Sequence, residues 1–384
     1  MTDALIVDAV RTPTGKRSGG LSHVHPVDLA ATSLAALMRR VSIDPSLVDD
    51  VIFGCVDQLG AQSMNIARNA WLSAGFDQSV PGVTIERQCG SSQQAISFAS
   101  QVIRSGDADC IVAGGVEVMS TVPIMSALFQ GEKAGTGHAW KGEGWRRRFR
   151  SEEITQFRGA ELIAERWGLE RRRLEDFAVS SHQRAFAAWE AGRFDREVEP
   201  VEGVVRDEGI RPDTSVKVLE GLRPIRPDGR LTAGTSSQIS DAAAAVLVAS
   251  DSFVKRHHLD AMVKVHTCVV VGSDPIEMLS GPIPATQKLL SRSGVRLDEV
   301  GLFECNEAFA SVVLAWQDSL GINADRVNVN GGAISLGHPL GATGARIATS
   351  LVHELVRSST RYGVQTMCEG AGMANATLYE LVAF

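Results

Sequence analysis

Cys89 stands in the run Val83-Thr84-Ile85-Glu86-Arg87-Gln88-Cys89-Gly90-Ser91-Ser92-Gln93-Gln94-Ala95, which reads as a strand, a tight turn and a helix of small residues. A thiol at a helix mouth meets unpaired N–H groups and the positive end of the dipole, which favour a thiolate and can hydrogen-bond an oxyanion. Both properties serve a nucleophile, although a cysteine simply buried at a helix start has the same surroundings. His338 lies in a second turn of this kind, Asn330-Gly331-Gly332-Ala333-Ile334-Ser335-Leu336-Gly337-His338-Pro339-Leu340-Gly341-Ala342-Thr343-Gly344. So many glycines are entropically costly and make sense where backbone passes close to a ligand or exposes one side chain. At a helix mouth a neutral imidazole is favoured over the cation, which suits a base toward a thiol; a core histidine is the alternative.

Two further runs carry chemistry. Thr366-Met367-Cys368-Glu369-Gly370-Ala371-Gly372 ends a strand in a glycine turn with a second thiol, able to give and take a proton beside the first. Glu304-Cys305-Asn306-Glu307-Ala308-Phe309 sets polar groups in an apolar context at a strand-to-helix turn. Asn306 there either positions a water or oxyanion donor, or caps the helix.

The elements that must position these residues alternate short apolar strands with alanine-rich helices in the first and last thirds of the chain, the signature of an α/β fold. Strands are predicted at Ala4 to Val10, Val51 to Cys55, Gly82 to Glu86 and Cys110 to Ala113, with helices at Val27 to Arg40 and Ser91 to Gly106. The ends of the chain also echo each other. Asp298-Glu299-Val300 lies 249 residues after Asp49-Asp50-Val51, and His338 lies 249 after Cys89. Two echoes at one offset predict duplicated βαβαβ halves, each giving catalytic groups to one layered α/β/α core. The predicted organisation is a first half at residues 1–118, an inserted loop or cap domain at 119–231, a return to the first half at 232–260 and a second half at 261–384. Within the insertion, Thr155 to Gly192 has helical periodicity with Leu162, Ile163, Trp167, Phe177, Phe186 and Trp189 as its core face. Its Arg146-Arg147-Arg148 and Arg171-Arg172-Arg173 runs either serve a ligand or are solvated helix faces.

Composition narrows the partners. A chain of 384 residues, 44% hydrophobic, is long enough for two or three domain-sized cores. Its net charge of −7 offers no global attraction to nucleic acid or anionic membrane, so an anionic ligand must be met locally. The N-terminus lacks a basic leader, and no window reaches the roughly 20 apolar residues of a membrane span. A soluble, cytoplasmic protein is expected. Its six cysteines follow no CxxC or Cys/His zinc spacing, so neither a disulfide framework nor a metal site is expected.

Taken together, Gln88-Cys89-Gly90-Ser91, Asn306-Glu307-Ala308-Phe309, the Gly331 to Gly344 segment and Cys368-Glu369-Gly370 resemble, in order and spacing, the motifs of thiolases. The resemblance runs from Asp8-Ala9-Val10-Arg11-Thr12-Pro13 to the Cys368 loop, nearly the whole chain. It implies that Cys89 takes the acyl group, His338 activates it and Cys368 is a second acid/base. Asn306, through a water and with His338, would form one oxyanion site; the N–H groups of Cys89 and Gly370 would form the other. It further implies a 3-ketoacyl-CoA and coenzyme A as substrates, no permanently bound cofactor, and a homodimer or homotetramer. By the same resemblance Ser237 would meet the pantetheine arm and Arg211 the nucleotide, a turn serine and a solvated arginine being the alternatives. Ala371 and Ala374 stand where many thiolases carry glycine. If position 371 needs a positive φ, alanine there implies strain or an altered loop. Thr155-Gln156-Phe157-Arg158 departs from the short-chain biosynthetic pattern and is most similar to degradative thiolases, including those acting on steroid-derived acyl groups. The rivals are a ketoacyl synthase, which would carry His or Asn at position 368, and a non-catalytic acyl-CoA-binding protein on the same scaffold.

Overall fold

In the computed structural model, which describes residues 2–382, β1 (Ala4–Arg11) runs through the middle of the sheet. After a two-residue strand β2 (Gly15–Lys16) come α1 (Pro26–Val41), β3 (Asp50–Gly54), α2 (Ile66–Ser73), β4 (Gly82–Ile85), α3 (Ser91–Ser105) and β5 (Cys110–Val118). Of these, β1, α1, β3, β4 and α3 match the predicted elements to within one or two residues, β5 continues past Ala113, and β2 and α2 lie outside the predicted set. The start of α1 shows why the boundaries were readable. Pro26 presets φ in the first turn, the His25 ring accepts from the Val27 N–H, and left-handed Ser42 closes the far end.

The insertion is helical, with α4 (Ser126–Lys133), α5 (Glu143–Phe149), α6 (Gln156–Arg166), α7 (Arg171–Glu190) and α8 (Val216–Glu220). Its predicted core face needs correction. Gly168 adopts a φ of +61° and separates α6 from α7, so the periodicity over Thr155 to Gly192 is two helices out of phase. Ile163 and Trp189 are buried as expected, Leu162, Trp167 and Phe177 only partly, and Phe186 is 42% exposed. Ala160, Ala164, Leu174 and Ala178 fill the interior instead, with Ala310 and Ala315 of the helix that follows Phe309.

The chain then continues through β6 (Ser240–Ser250), α9 (Asp251–Arg256), β7 (Val263–Gly272), α10 (Pro282–Ser293), β8 (Leu302–Cys305), α11 (Ala310–Leu320), α12 (Ala333–Leu336), α13 (Leu340–Ser358), β9 (Tyr362–Glu369) and β10 (Met373–Leu381). Strand order is β4-β3-β5-β6-β1-β7-β10-β9-β8, with β2 on β6. The path β3-β5-β6-β1 is parallel, antiparallel, antiparallel, and β8-β9-β10-β7 repeats it. This is the duplication predicted from the paired offsets. The halves join where β1 meets β7 through Leu5↔Lys264 and Ile6↔Val263.

Helices α3 and α13 occupy equivalent places in the two halves and lie against each other between the half-sheets. Their Ala95, Ile96, Ala99, Ala345, Ala348 and Leu351 form one core with Val246 and Tyr379. Outer layers are supplied by α1 and α2 on one side and α10 and α11 on the other. Close approach explains the small residues: a Cβ on Gly344 would come within 2.2 Å of the Gln93 backbone nitrogen. Some polar groups in this central layer are paired across it, the Ala345 N–H to Ser92 Oγ at 2.9 Å and Gln365 Nε2 to the Gly344 carbonyl at 2.7 Å. That pairing avoids the cost of about 1–3 kcal/mol for each buried group left without a partner. Among the described residues no helix is long and apolar enough to cross a membrane.

Candidate active site

Because α3 and α13 run side by side, their preceding loops open at the same end of the central layer. Cys89 sits in the turn between β4 and α3, where the Gly90 N–H donates to the Arg87 carbonyl at 3.0 Å and Ser91 Oγ donates to the Gln88 carbonyl at 2.6 Å. Gln88 takes a positive φ of 47° to bring the chain round. The Cys89 thiol is part-buried, whereas Cys368, near the end of β9, is fully buried. The two sulfurs are close: after burial, a charge on Cys89 is the largest influence on Cys368, and both raise its pKa well above the usual thiol value.

One expectation is overturned here. The helix start was expected to favour a Cys89 thiolate, yet the thiol is pushed up to about 12, by burial first and then by the neighbouring Glu369. Burial disfavours the charged form. The resting sulfur is a thiol and needs a base to activate it.

His338 is a candidate for that base. It is buried, and burial, followed by the charge of Arg346, lowers its pKa to about 3, so the imidazole is neutral. Its tautomer follows from its neighbour. Thr343 Oγ1 has a single proton, which it donates to the Pro339 carbonyl at 2.7 Å. Toward His338 Nδ1, 2.7 Å away, the same oxygen can only accept. Nδ1 therefore carries the ring proton and Nε2 presents an unprotonated lone pair, which accepts a long hydrogen bond from Asn306 Nδ2 at 3.4 Å. Asn306 Oδ1 is buried without a partner, leaving this amide an open acceptor. Thr343→Val should thus free the imidazole to take the other tautomer and lower kcat about tenfold with little change in KM; steady-state kinetics showing an unchanged kcat would remove Thr343 from this role.

Buried carboxylates brace the loops. Glu307 accepts from Asn328 Nδ2 at 2.9 Å, Ser181 Oγ at 2.7 Å and the Ile334 N–H at 3.1 Å, and so holds the glycine segment ahead of His338. Glu117 accepts from the N–H groups of Val56 and Gly341, both at 2.9 Å, and joins the first half to the mouth of α13. Neither Thr343, Glu117 nor the bracing by Glu307 was read from the sequence. Thr343 has a signal, its position in the first turn of the helix that His338 precedes; a buried carboxylate in a strand has none.

Gly370 follows Cys368 by two residues and packs against Gln88, on the same side as the nucleophile turn. Ala371 takes a φ of +63°, so the alanine is in the left-handed region. Ala371→Gly should relieve about 1 kcal/mol of strain, the left-handed cost being larger than glycine's loss of chain entropy; a melting curve with no rise in Tm would count against it. Ser237 is part-buried and its N–H donates to the Ala308 carbonyl at 2.9 Å, so it adjoins the Asn306 loop. Arg211 is exposed at the rim, its N–H donating to His182 Nδ1 at 3.1 Å. The structure therefore links Asn306 with His338, Cys368 with Cys89, and Gly370 with Gln88 of the Cys89 turn, with Ser237 bonded to Ala308 of the Asn306 loop and Arg211 exposed. Among the described residues no group of three or more His, Cys, Asp or Glu is arranged to hold a metal ion.

A duplicated α/β scaffold converging two thiols, a neutral imidazole and an amide defines the class, an acyl-transferring enzyme. The chain belongs to the thiolase family: residues 4–252 match the family model "Thiolase, N-terminal domain" and residues 259–381 match "Thiolase, C-terminal domain". It is 52% identical over 385 residues to the steroid 3-ketoacyl-CoA thiolase FadA6 of Mycobacterium tuberculosis, covering 99% of this chain and 94% of that protein. It is 41% identical over 403 residues to a 3-ketoacyl-CoA thiolase of Pseudoalteromonas translucida, covering 100% of both. Among solved structures it resembles the Bacillus anthracis acetyl-CoA acetyltransferase, at a TM-score of 0.90 and 36% identity over 100% of this chain and 99% of that one. The human mitochondrial 3-ketoacyl-CoA thiolase in complex with CoA is similar at a TM-score of 0.89 and 33% identity, over 100% and 98%.

Proposed function

We propose that this protein cleaves a 3-ketoacyl-CoA with coenzyme A, releasing acetyl-CoA and a shortened acyl-CoA through an acyl thioester on Cys89. The observation carrying this reading is the unprotonated Nε2 of neutral His338 among two thiols and the Asn306 amide. His338 Nε2 takes the Cys89 proton as the sulfur attacks the 3-keto carbon. The bond between carbons 2 and 3 then breaks, and its electron pair leaves as the acetyl-CoA enolate. Asn306, through a water, and His338 stabilise that enolate, which takes its proton from Cys368. Coenzyme A enters, gives its thiol proton to the Cys368 thiolate and attacks the acyl-Cys89 carbonyl. The N–H groups of Cys89 and Gly370 hold the resulting oxyanion, and Cys89 leaves and recovers its proton from His338.

Ser237 would meet the pantetheine arm and Arg211 the nucleotide phosphates, with coenzyme A as substrate and no permanently held cofactor. The halves at 1–118 with 232–260 and at 261–384 would carry the chemistry, and 119–231 would cover the acyl group. An open hollow of about 410 Å³, lined by Trp145, Arg148 and Phe149 of α5 with Ser273, Pro275 and Ala371, adjoins the Cys368 loop through Ala371 and is where the insertion would meet a bulky, ring-derived acyl group. The edge strand β4, with Val83 41% exposed, supports a homodimer or homotetramer formed by strand pairing; a monomer by sedimentation would reject it. The cytoplasm is the compartment this reading assigns.

Intact-mass spectrometry after mixing the protein with a panel of 3-ketoacyl-CoA thioesters, without free coenzyme A, tests the reaction. An acyl adduct on Cys89, discharged by added coenzyme A, is expected. No adduct from any member of the panel would leave a binding protein on the same scaffold.

A further inference from the structure

We propose that Glu369 is a positioning residue that works as a neutral carboxylic acid, seating the Gly90 turn beneath the nucleophile and withholding negative charge while Cys89 is a thiolate. The proposal rests on Cys89 being the nucleophile. Glu369 follows Cys368 at the end of β9, is fully buried, and neither of its oxygens has a hydrogen-bond partner. It presses on the nucleophile turn: a Cβ on Gly90 would lie 2.0 Å from Glu369 Oε1 and 2.7 Å from Asn375 Nδ2. Gly90 itself, at φ −85° and ψ 6°, has a conformation open to any residue. Glycine is required there by the carboxyl rather than by the backbone. Asn375 completes the seat by donating Nδ2 to the Gly90 carbonyl at 3.1 Å, while its Oδ1 has no partner.

An ionised carboxylate buried without donors is strongly disfavoured against its neutral form. The charged and titratable groups around Glu369 are Arg87 and Glu86, both from the turn before α3, and the thiols of Cys89 and Cys368. Facing it from β10 are uncharged Asn375 and Met373. Arg87 is the one cation available, but it makes no hydrogen bond to Glu369: its Nε has no partner and its Nη1 lies 3.9 Å from Met373 Sδ. Burial raises the Glu369 carboxyl to about 8, with Arg87 opposing and Glu86 adding to the shift. As pH rises through that value the carboxyl ionises and opposes thiolate formation at Cys89, adding to the weaker influences of Glu86 and Glu117.

The test is the rate at which iodoacetamide alkylates Cys89 in the full-length protein, followed by mass spectrometry of its peptide from about pH 6 to about 9.5. The reaction needs no acyl-CoA, so it separates this proposal from the thiolysis reading. Glu369→Gln should match wild type below about pH 7 and react about tenfold faster at the alkaline end, where wild type climbs less steeply. Curves that coincide throughout, or that are offset by one factor at every pH, would overturn it. Arg87→Met gives a second reading should Glu369→Gln not fold. It should leave the rate at neutral pH nearly unchanged, whereas a large rise there, from a carboxyl that protonates once its cation is gone, would mean that Arg87 holds Glu369 as a carboxylate.

Discussion

Replacing Cys89 with alanine is expected to lower kcat by about 10⁴-fold or more and to abolish the acyl adduct, because no other sulfur can take the acyl group. Cys55, Cys110 and Cys305 are buried, Cys268, in β7, stands in the ladder opposite Thr377, and Cys368, buried deeper than Cys89, is engaged in proton transfer in the proposed cycle. Cys368→Ala should give a different signature. The adduct still forms, slowly, since solvent can protonate the enolate, but coenzyme A discharges it about 10²- to 10³-fold more slowly for want of a base. The pair of variants is read by rapid-quench intact mass. An adduct that persists in Cys89→Ala, or a Cys368→Ala enzyme that turns over normally, would break the assignment of roles.

His338→Gln is the second large effect. With burial holding its thiol above the usual range, Cys89 is almost wholly protonated at neutral pH. Proton removal must therefore accompany attack, and glutamine cannot accept that proton. We expect kcat to fall about 10³-fold, with activity recovering as pH is raised, since hydroxide replaces the missing base. Wild type should lack the acid limb of an ordinary histidine near 6.5, because the imidazole stays neutral until its lowered value of about 3 is approached. A kcat profile with a clear limb at the ordinary histidine value would contradict the neutral, buried base.

Much of this site was readable in the residues, for a definable reason. Cys89, His338 and Cys368 each stand in a glycine-containing turn next to a strand or helix end, and such turns are local structures carried by local sequence. The repeat at an offset of 249 residues was readable because both halves keep the same strand and turn chemistry. What could not be read depends on contacts between distant segments. Burial reversed the expected ionisation of Cys89, and burial is decided by α13, β9 and the insertion together. The base-side tautomer rests on where one Thr343 proton goes. The α6–α7 core was misphased because the left-handed turn at Gly168 resets the helical period, and Phe186 was assigned to a face that points outward.

The duplicated halves meet along α3 and α13, and the proposed nucleophile and base stand at the mouths of those two helices. The reacting groups thus belong to a seam between repeats, and neither repeat holds a working set. A single half, however well folded, would be chemically mute, and a shift of one half along the other would act like a mutation of both residues at once. Of the insertion, α7 is tied to that seam, since its Ser181 donates to Glu307 at 2.7 Å, whereas α4 and α5 are not part of it. Selection can redraw what the enzyme accepts by editing α4 and α5 while leaving the registration of the two repeats, and with it the reaction, untouched.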